Sequence, residues 1–254
     1  MGLLARLQGA AFAALLAVAS LSAHAQSGSL TTTFAHNNTF AGNVFDLTPS
    51  QDLTVTAFDV NVGAFGTDGG GAGESVQINI YWRPGTGNGF QNSSAGWTLL
   101  GSATVTSQGA NRPTRVPIGG LSLSAGQTYG IYVDLVNFDG NGRSLLYTDG
   151  NTPYSNADLA LTPLFGKGTP AFASGTFSPR IWNGTVYYTR SASCAGSGYT
   201  GTQLEWCKNI CERGYNGATL EMWIRRWLNR WRELPYCARP DGGGGGGGEG
   251  SVRD

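Results

Sequence analysis

Ser75-Val76-Gln77-Ile78-Asn79-Ile80-Tyr81-Trp82 places an apolar side chain at every second position. A period of two is what a strand needs when one face lies on a core and the other faces outward. The same period runs through Phe58, Val60 and Val62, and through Tyr129, Ile131, Val133 and Leu135. Further short strands are predicted at residues 30–34, 97–106, 143–148 and 185–189. Turn formers separate them: Arg83-Pro84-Gly85, Ser124-Ala125-Gly126, Asp139-Gly140-Asn141-Gly142 and Asp149-Gly150-Asn151. No helical pattern intervenes in residues 27–190, so the strands are expected to pair antiparallel. The predicted fold class is mainly β, an antiparallel two-sheet sandwich that is jelly-roll-like. Trp82 is in phase with Val76, Ile78 and Ile80 and is expected in the core. Asp59 and Asp134 fall on the faces opposite Phe58 and Val133, where solvated side chains are expected.

The chain has 254 residues, enough for one large domain or two modest ones. Lys+Arg 16 balances Asp+Glu 16, and only 13% of residues are charged. Nucleic acid is gripped mainly by clustered Lys and Arg, so no nucleic-acid partner is expected. Forty glycines beside 40% hydrophobic residues describe a core interrupted by tight turns, the profile of an exported all-β protein. The N-terminus agrees. It has one positive charge in residues 1–6, an Ala-rich apolar run over 7–22, and Ala23-His24-Ala25 as a small-residue cleavage site. Residues 1–25 are read as a signal peptide, which makes the destination extracellular, cell-surface or periplasmic. The run falls short of the ~20 apolar residues of a membrane span, and no apolar span follows it.

After Arg190 the pattern changes. Residues 202–212 and 218–234 carry helical periodicity, the second through Leu220, Trp223, Ile224, Trp227, Leu228, Trp231 and Leu234. Gly214 and Gly217 suit a helix C-cap and a short connection, and Pro235 is expected to stop the second helix. Residues 191–240 thus read as a helical hairpin too small to rely on its own core. All four cysteines, Cys194, Cys207, Cys211 and Cys237, lie in it and are expected to form two disulfides. Cys207 and Cys211 share a helix face with poor geometry for each other, so Cys194 and Cys237 are expected to bond back to them. The spacing leaves both such pairings open. A four-cysteine zinc site is disfavoured, because only Cys207 and Cys211 approach knuckle spacing and a helix separates them. Residues 241–254 include an unbroken glycine run and read as a flexible linker or disordered end.

Several stretches resemble a β-sandwich module recurrent in secreted and surface proteins of bacteria. They are Trp97-Thr98-Leu99-Leu100-Gly101, Ala125-Gly126-Gln127-Thr128-Tyr129-Gly130, Ser155-Asn156-Ala157-Asp158 and Ser178-Pro179-Arg180-Ile181-Trp182-Asn183-Gly184-Thr185-Val186-Tyr187-Tyr188. The resemblance spans most of residues 30–190 and implies a non-catalytic extracellular module. Trp206-Cys207-Lys208-Asn209-Ile210-Cys211-Glu212 with Leu234-Pro235-Tyr236-Cys237-Ala238 resembles a C-terminal segment of other exported bacterial proteins.

Catalytic signals are sparse. His36 is the one histidine outside the signal peptide, and no G-x-S-x-G elbow accompanies it. Asp46, Asp52, Asp59, Glu74, Asp134 and Asp158 are the carboxylates a glycosidase would draw on. They are better read as ordinary solvent-facing groups. Asn137-x-Asp139-x-Asn141-Gly142 imitates the start of a calcium loop, but its twelfth position is Thr148, and a hairpin turn explains it. The glycine-rich residues 66–73 lack the Lys-Ser/Thr of a phosphate cradle. No metal site, no cofactor and no enzymatic activity are expected.

Two binding surfaces remain. Tyr81, Trp82, Phe90, Trp97, Tyr132 and Tyr147 can supply an aromatic platform for sugar rings, with Tyr81 and Tyr132 on the more polar faces. In the second helix Trp223, Trp227 and Trp231 form a stripe flanked by Arg226 and Arg230, with Arg225 and Arg232 on the rim. Seven basic against four acidic residues give residues 202–239 a net charge of +3 in a chain whose total is zero. Such a helix can lie on anionic lipid or a cell-surface polymer. It can equally bury its stripe against Leu204 and Ile210 of the first helix. The expected function is an exported binding or structural module, with polysaccharide the leading ligand and an envelope-contacting or assembly role through the hairpin the alternative.

Overall fold

The computed structural model describes residues 26–190, 193–194 and 197–238; the expected signal peptide and glycine-rich tail lie outside them. The chain is 44% strand against 13% helix, as the period-two alternation requires. In order the strands are β1 (Gln26–Thr31), β2 (Asn38–Phe40), β3 (Gly42–Pro49), β4 (Leu53–Gly63) and β5 (Ser75–Pro84). Then come β6 (Thr98–Thr106), β7 (Pro113–Val116), β8 (Leu121–Leu123), β9 (Tyr129–Leu135) and β10 (Ser144–Asp149). β11 (Tyr154–Ser155), β12 (Leu159–Lys167), β13 (Thr176–Trp182) and β14 (Gly184–Arg190) complete the set.

Cross-strand register follows from burial. Antiparallel pairing sets Ile80 against Val133, Phe45 against Ile131 and Val186 against Phe58, each an apolar pair on one face. These faces meet in a single core, centred on Trp182, whose ring stacks on Phe45 at 4.5 Å and meets Phe58 edge-on at 6.3 Å. The hydrogen-bonded network differs from two separate sheets. β4 pairs with β14 on one edge and with β7 and β8 on the other, while its end, Val62 and Gly63, pairs with β10. One continuous antiparallel sheet therefore supplies both halves of a sandwich-like body.

Seven strands lie outside the sequence expectations: the short β2, β7, β8 and β11, and the longer β3, β12 and β13. β3 is buried on both faces from Gly42 to Leu47 and so shows no alternation. In β12 a bulge between Pro163 and Phe165 shifts the phase halfway along. β6 carries an extra residue, Leu100, opposite Ile80 and Tyr81, while β5 itself stays in register with β9. Trp82, near the end of β5, is half-buried at the margin of the core and packs against Tyr129.

The expectation of solvated Asp59 and Asp134 is corrected. Both are buried, at 4% and 5% exposure. Asp59 lies opposite Arg115 of β7, which bonds it at 2.6 Å, and Tyr187 donates a second hydrogen bond at 2.7 Å. Asp134 lies on the outward face of β9, where loops cover the sheet.

The C-terminal helices are α1 (Gly201–Cys211) and α2 (Gly217–Arg230), followed by a single 3-10 turn at Tyr236–Ala238. Gly214, three residues beyond the end of α1, sits at φ +68°, a left-handed turn of the connection that glycine adopts without strain. α2 stops at Arg230, before Pro235 can act. Trp231 turns extended, and the carbonyl of Glu233 accepts the indole N–H of buried Trp227. This early exit brings Cys237 back to Cys211, with Cα atoms 5.7 Å apart. Of the two open pairings the bonds are Cys194–Cys207 and Cys211–Cys237. Ala25–Glu205 forms one compact unit and the described residues from Trp206 onward belong to another.

Candidate functional site

In the sandwich, β12, β3, β9 and β5 present Lys167, Gly42, Asp134 and Asn79 as one cross-strand row. Gly42 carries no side chain because the Tyr132 ring takes that space: a Cβ there would meet the ring at 2.7 Å. Tyr132 is thus 0% exposed, so the expectation that it offers a stacking surface is corrected. Phe172, held at φ +62°, meets Tyr132 edge-on with ring centroids 4.9 Å apart, and Trp97 closes at 6.1 Å. Tyr81 joins the cluster at 6.0 Å from Tyr132 and 5.1 Å from Phe172. The rings meet edge to face or tilted, which makes a packed box rather than a flat platform. Tyr147 is buried too, Trp97 is half-buried, and exposed Phe90 has the Arg83 guanidinium 3.2 Å over its ring. Of Tyr81 and Tyr132, the two expected on the more polar faces, Tyr81 alone keeps a partly open surface.

Burial changes the chemistry of this row. Desolvation raises the Asp134 carboxyl to about 6, and no side chain or backbone group hydrogen-bonds it among the described residues. Desolvation also raises the Tyr132 hydroxyl, helped by the nearby Asp134 charge. Lys167, 0% exposed, is lowered by the same cause. Sequence reasoning missed Lys167, Asn92 and Thr176 altogether. The available signal was that Lys167 is one of only two lysines in the chain.

The remaining carboxylates are engaged structurally. Asp46 fixes the turn at Thr86 and Gly87, Asp52 accepts the Ala125 N–H, Glu74 pairs with Arg143 and Asp158 with Arg190. Asp139 accepts the backbone N–H groups of Asn141 and Arg143 at 2.9 Å and pairs with the Arg143 side chain. That is a stapled turn, in line with the hairpin reading. His36 bonds Asn111 Oδ1 through Nδ1 at 2.7 Å and accepts the Gly66 N–H at Nε2. Both of its nitrogens serve a loop.

In the hairpin the Trp stripe packs inward as one of the two readings required, but on Trp206. Trp206 meets Trp223 at 6.0 Å and Trp231 at 5.2 Å, while Trp227 meets Trp231 at 4.5 Å and is 1% exposed. Trp223 and Trp231 are half-buried. Trp206 was the missed partner: its neighbours in sequence drew attention as cysteines, not as packing. Arg226 lies 5.1 Å over Trp223, and Arg230 lies 5.9 Å over Trp206 and 5.5 Å over Trp231. Arg225, Arg226, Arg230 and Arg232 are all exposed, and none makes an ion pair among the described residues. The outward residues Ala218, Glu221, Met222, Arg225, Arg226 and Asn229 border an open cleft of about 370 Å³. Met222 and Leu228 stand exposed beside the arginines, at 38% and 45%. Among the described residues no helix is long and apolar enough to cross a membrane, which says nothing about crossing by strands.

No family model and no curated protein matches the chain. A solved structure of infectious bursal disease virus, Gx strain, is similar over 83% of this chain and 50% of that one, at 11% identity and a TM-score of 0.21. The chain spans about half the length of that viral chain, and the likeness is too low to carry an argument about fold or function.

Proposed function

We propose that the protein is exported and non-catalytic, and that its hairpin docks on an anionic surface of the cell envelope while the sandwich serves as the folded body. The observation that carries this reading is the set of four exposed arginines with no carboxylate partner among the described residues, bordered by exposed Met222 and Leu228. Exposed guanidinium groups attract phosphate and carboxylate, and nearby apolar side chains add contact with a headgroup region. The tryptophans act behind this face, holding Arg226 and Arg230 by cation–π contact, rather than inserting themselves.

A second reading keeps polysaccharide as ligand, at the partly open rim formed by Tyr81, Trp97 and Phe172. The two readings separate in one sedimentation panel of insoluble polysaccharides, anionic phospholipid vesicles and zwitterionic vesicles. The hairpin reading expects wild type on anionic vesicles and loss of that binding in Arg225→Ala/Arg226→Ala. Binding to a polysaccharide that Tyr81→Ala removes would favour the sandwich instead. No binding to any member of the panel refutes both.

A further inference from the structure

Lys167 is fully buried, and among the described residues no carboxylate neutralises it. Its Nζ lies within hydrogen-bond distance of three neutral acceptors, Asn92 Oδ1 at 2.7 Å, the Ser174 carbonyl at 2.8 Å and Thr176 Oγ1 at 2.8 Å. The ammonium can donate to all three, whereas the free amine has two N–H groups for Ser174 and Thr176 and keeps its lone pair for the Asn92 amide. Thr176 Oγ1 in turn donates to Asn92 Oδ1 at 2.8 Å. Amine, hydroxyl and amide oxygen therefore close a triangle of hydrogen bonds. A buried ammonium without a counter-charge is costly, and desolvation favours the free amine, which is the nucleophilic form. A C=O bond is about 1.2 Å long, so the Asn92 Cγ lies within ~4 Å of Nζ, near the ~3–3.5 Å separation of groups held ready to react.

We propose that Lys167 and Asn92 join in an intramolecular isopeptide bond, with Thr176 as the proton relay. The Nζ lone pair attacks Cγ of Asn92 and gives a tetrahedral intermediate. Thr176 accepts a proton from Nζ and delivers its own to the amide oxygen, where negative charge develops. On collapse the C=O bond re-forms, the proton on that oxygen passes through the Thr176 hydroxyl to Nδ2, and the Cγ–Nδ2 bond breaks to release ammonia. The Asn92 residue is exposed, so ammonia has a path to solvent. The balance is one amine plus one primary amide giving one secondary amide plus ammonia, with no oxidant and no added reactant. The bond fastens the loop that carries Phe90 and Trp97 to the end of β12, beside the buried Tyr132, and it provides a covalent tie for the sandwich comparable to the hairpin's disulfides.

Peptide mapping by mass spectrometry of the full-length purified protein tests this. Peptides containing Asn92 and Lys167 are expected as one cross-linked species, lighter than their sum by one ammonia. Lys167→Arg and Asn92→Ala should abolish that species, and Thr176→Val should lower the fraction of the purified protein that carries it. Recovery of both wild-type peptides in linear form overturns the proposal, whether Asn92 is intact or deamidated. So does an ammonia loss that persists in Lys167→Arg, as cyclisation of an N-terminal glutamine would give. Should a variant fail to fold, the wild-type map alone decides.

Discussion

The sandwich and the hairpin use their charges in opposite ways. In the sandwich Arg115, Arg143, Arg180 and Arg190 each hold a carboxylate, at 2.6 to 3.0 Å. In the hairpin Arg225, Arg226, Arg230 and Arg232 stand exposed with no such partner among the described residues. The sandwich buries its polar row beneath loops and relies on a large apolar core. The hairpin has little core, is tied by disulfides, and turns its cations outward. The sandwich pairs most of its arginines, Arg83 and Arg112 excepted, and buries Lys167 among neutral acceptors; a region that leaves several cations exposed and unpaired on a single helix is poised to meet an anion.

Four perturbations break or sharpen this contrast, in descending order of effect. Trp227→Ala removes the hairpin's buried centre and should cost about 3–5 kcal/mol, the usual range for a large aromatic. Hydrogen exchange should show α2 amides losing protection while β4 and β9 keep theirs. Loss of protection in both regions would mean that they do not unfold separately.

Next is Asp134→Asn. The carboxyl stands at about 6 in the folded chain against 3.8 for the ordinary group. Below the unfolded value both states are protonated and nothing is lost. As pH rises towards 6 the unfolded chain releases its proton while the folded one holds it, so stability falls through that window and then levels. Asp134→Asn should therefore stabilise by on the order of 2–3 kcal/mol at pH 7 and by little at pH 3.5. Denaturant midpoints at the two pH values check it; an equal effect at both would mean that the carboxyl is not ionising inside the fold.

Arg115→Ala, a sandwich cation, leaves buried Asp59 with Tyr187 alone and should cost about 1–2 kcal/mol, limited by the exposure of the arginine. Thermal melts of the single variant measure it. Arg225→Ala, a hairpin cation, should change stability by no more than about 0.5 kcal/mol in the same melts. Equal costs for the two would erase the distinction between paired and unpaired arginines.

Much of this architecture was legible in the sequence because alternation reports a face that is buried on one side only. Val76, Ile78 and Ile80 gave β5 for that reason. β3 escaped because both of its faces are covered, and β12 because its bulge resets the phase. The same covering misled the placement of Asp134 and Tyr132: period two tells which face a residue takes, not what a loop lays over that face. In the hairpin, spacing found the Trp stripe and the cysteines, yet not the choice of Cys194–Cys207 over its crossed alternative. That choice is set by where the chain returns after Trp231, which local pattern does not encode.

The central claim is that the unpaired arginines are a contact surface. The most direct measurement is partition of the full chain, disulfides intact, onto anionic phospholipid vesicles across a salt series. Wild type should be compared with Arg225→Ala/Arg226→Ala/Arg230→Ala. At about 1 kcal/mol per arginine, the triple variant should bind roughly a hundredfold more weakly, and wild-type partition should fall steeply as salt screens the surface. Equal partition of the two proteins, or wild-type binding indifferent to salt and to vesicle charge, would contradict the account.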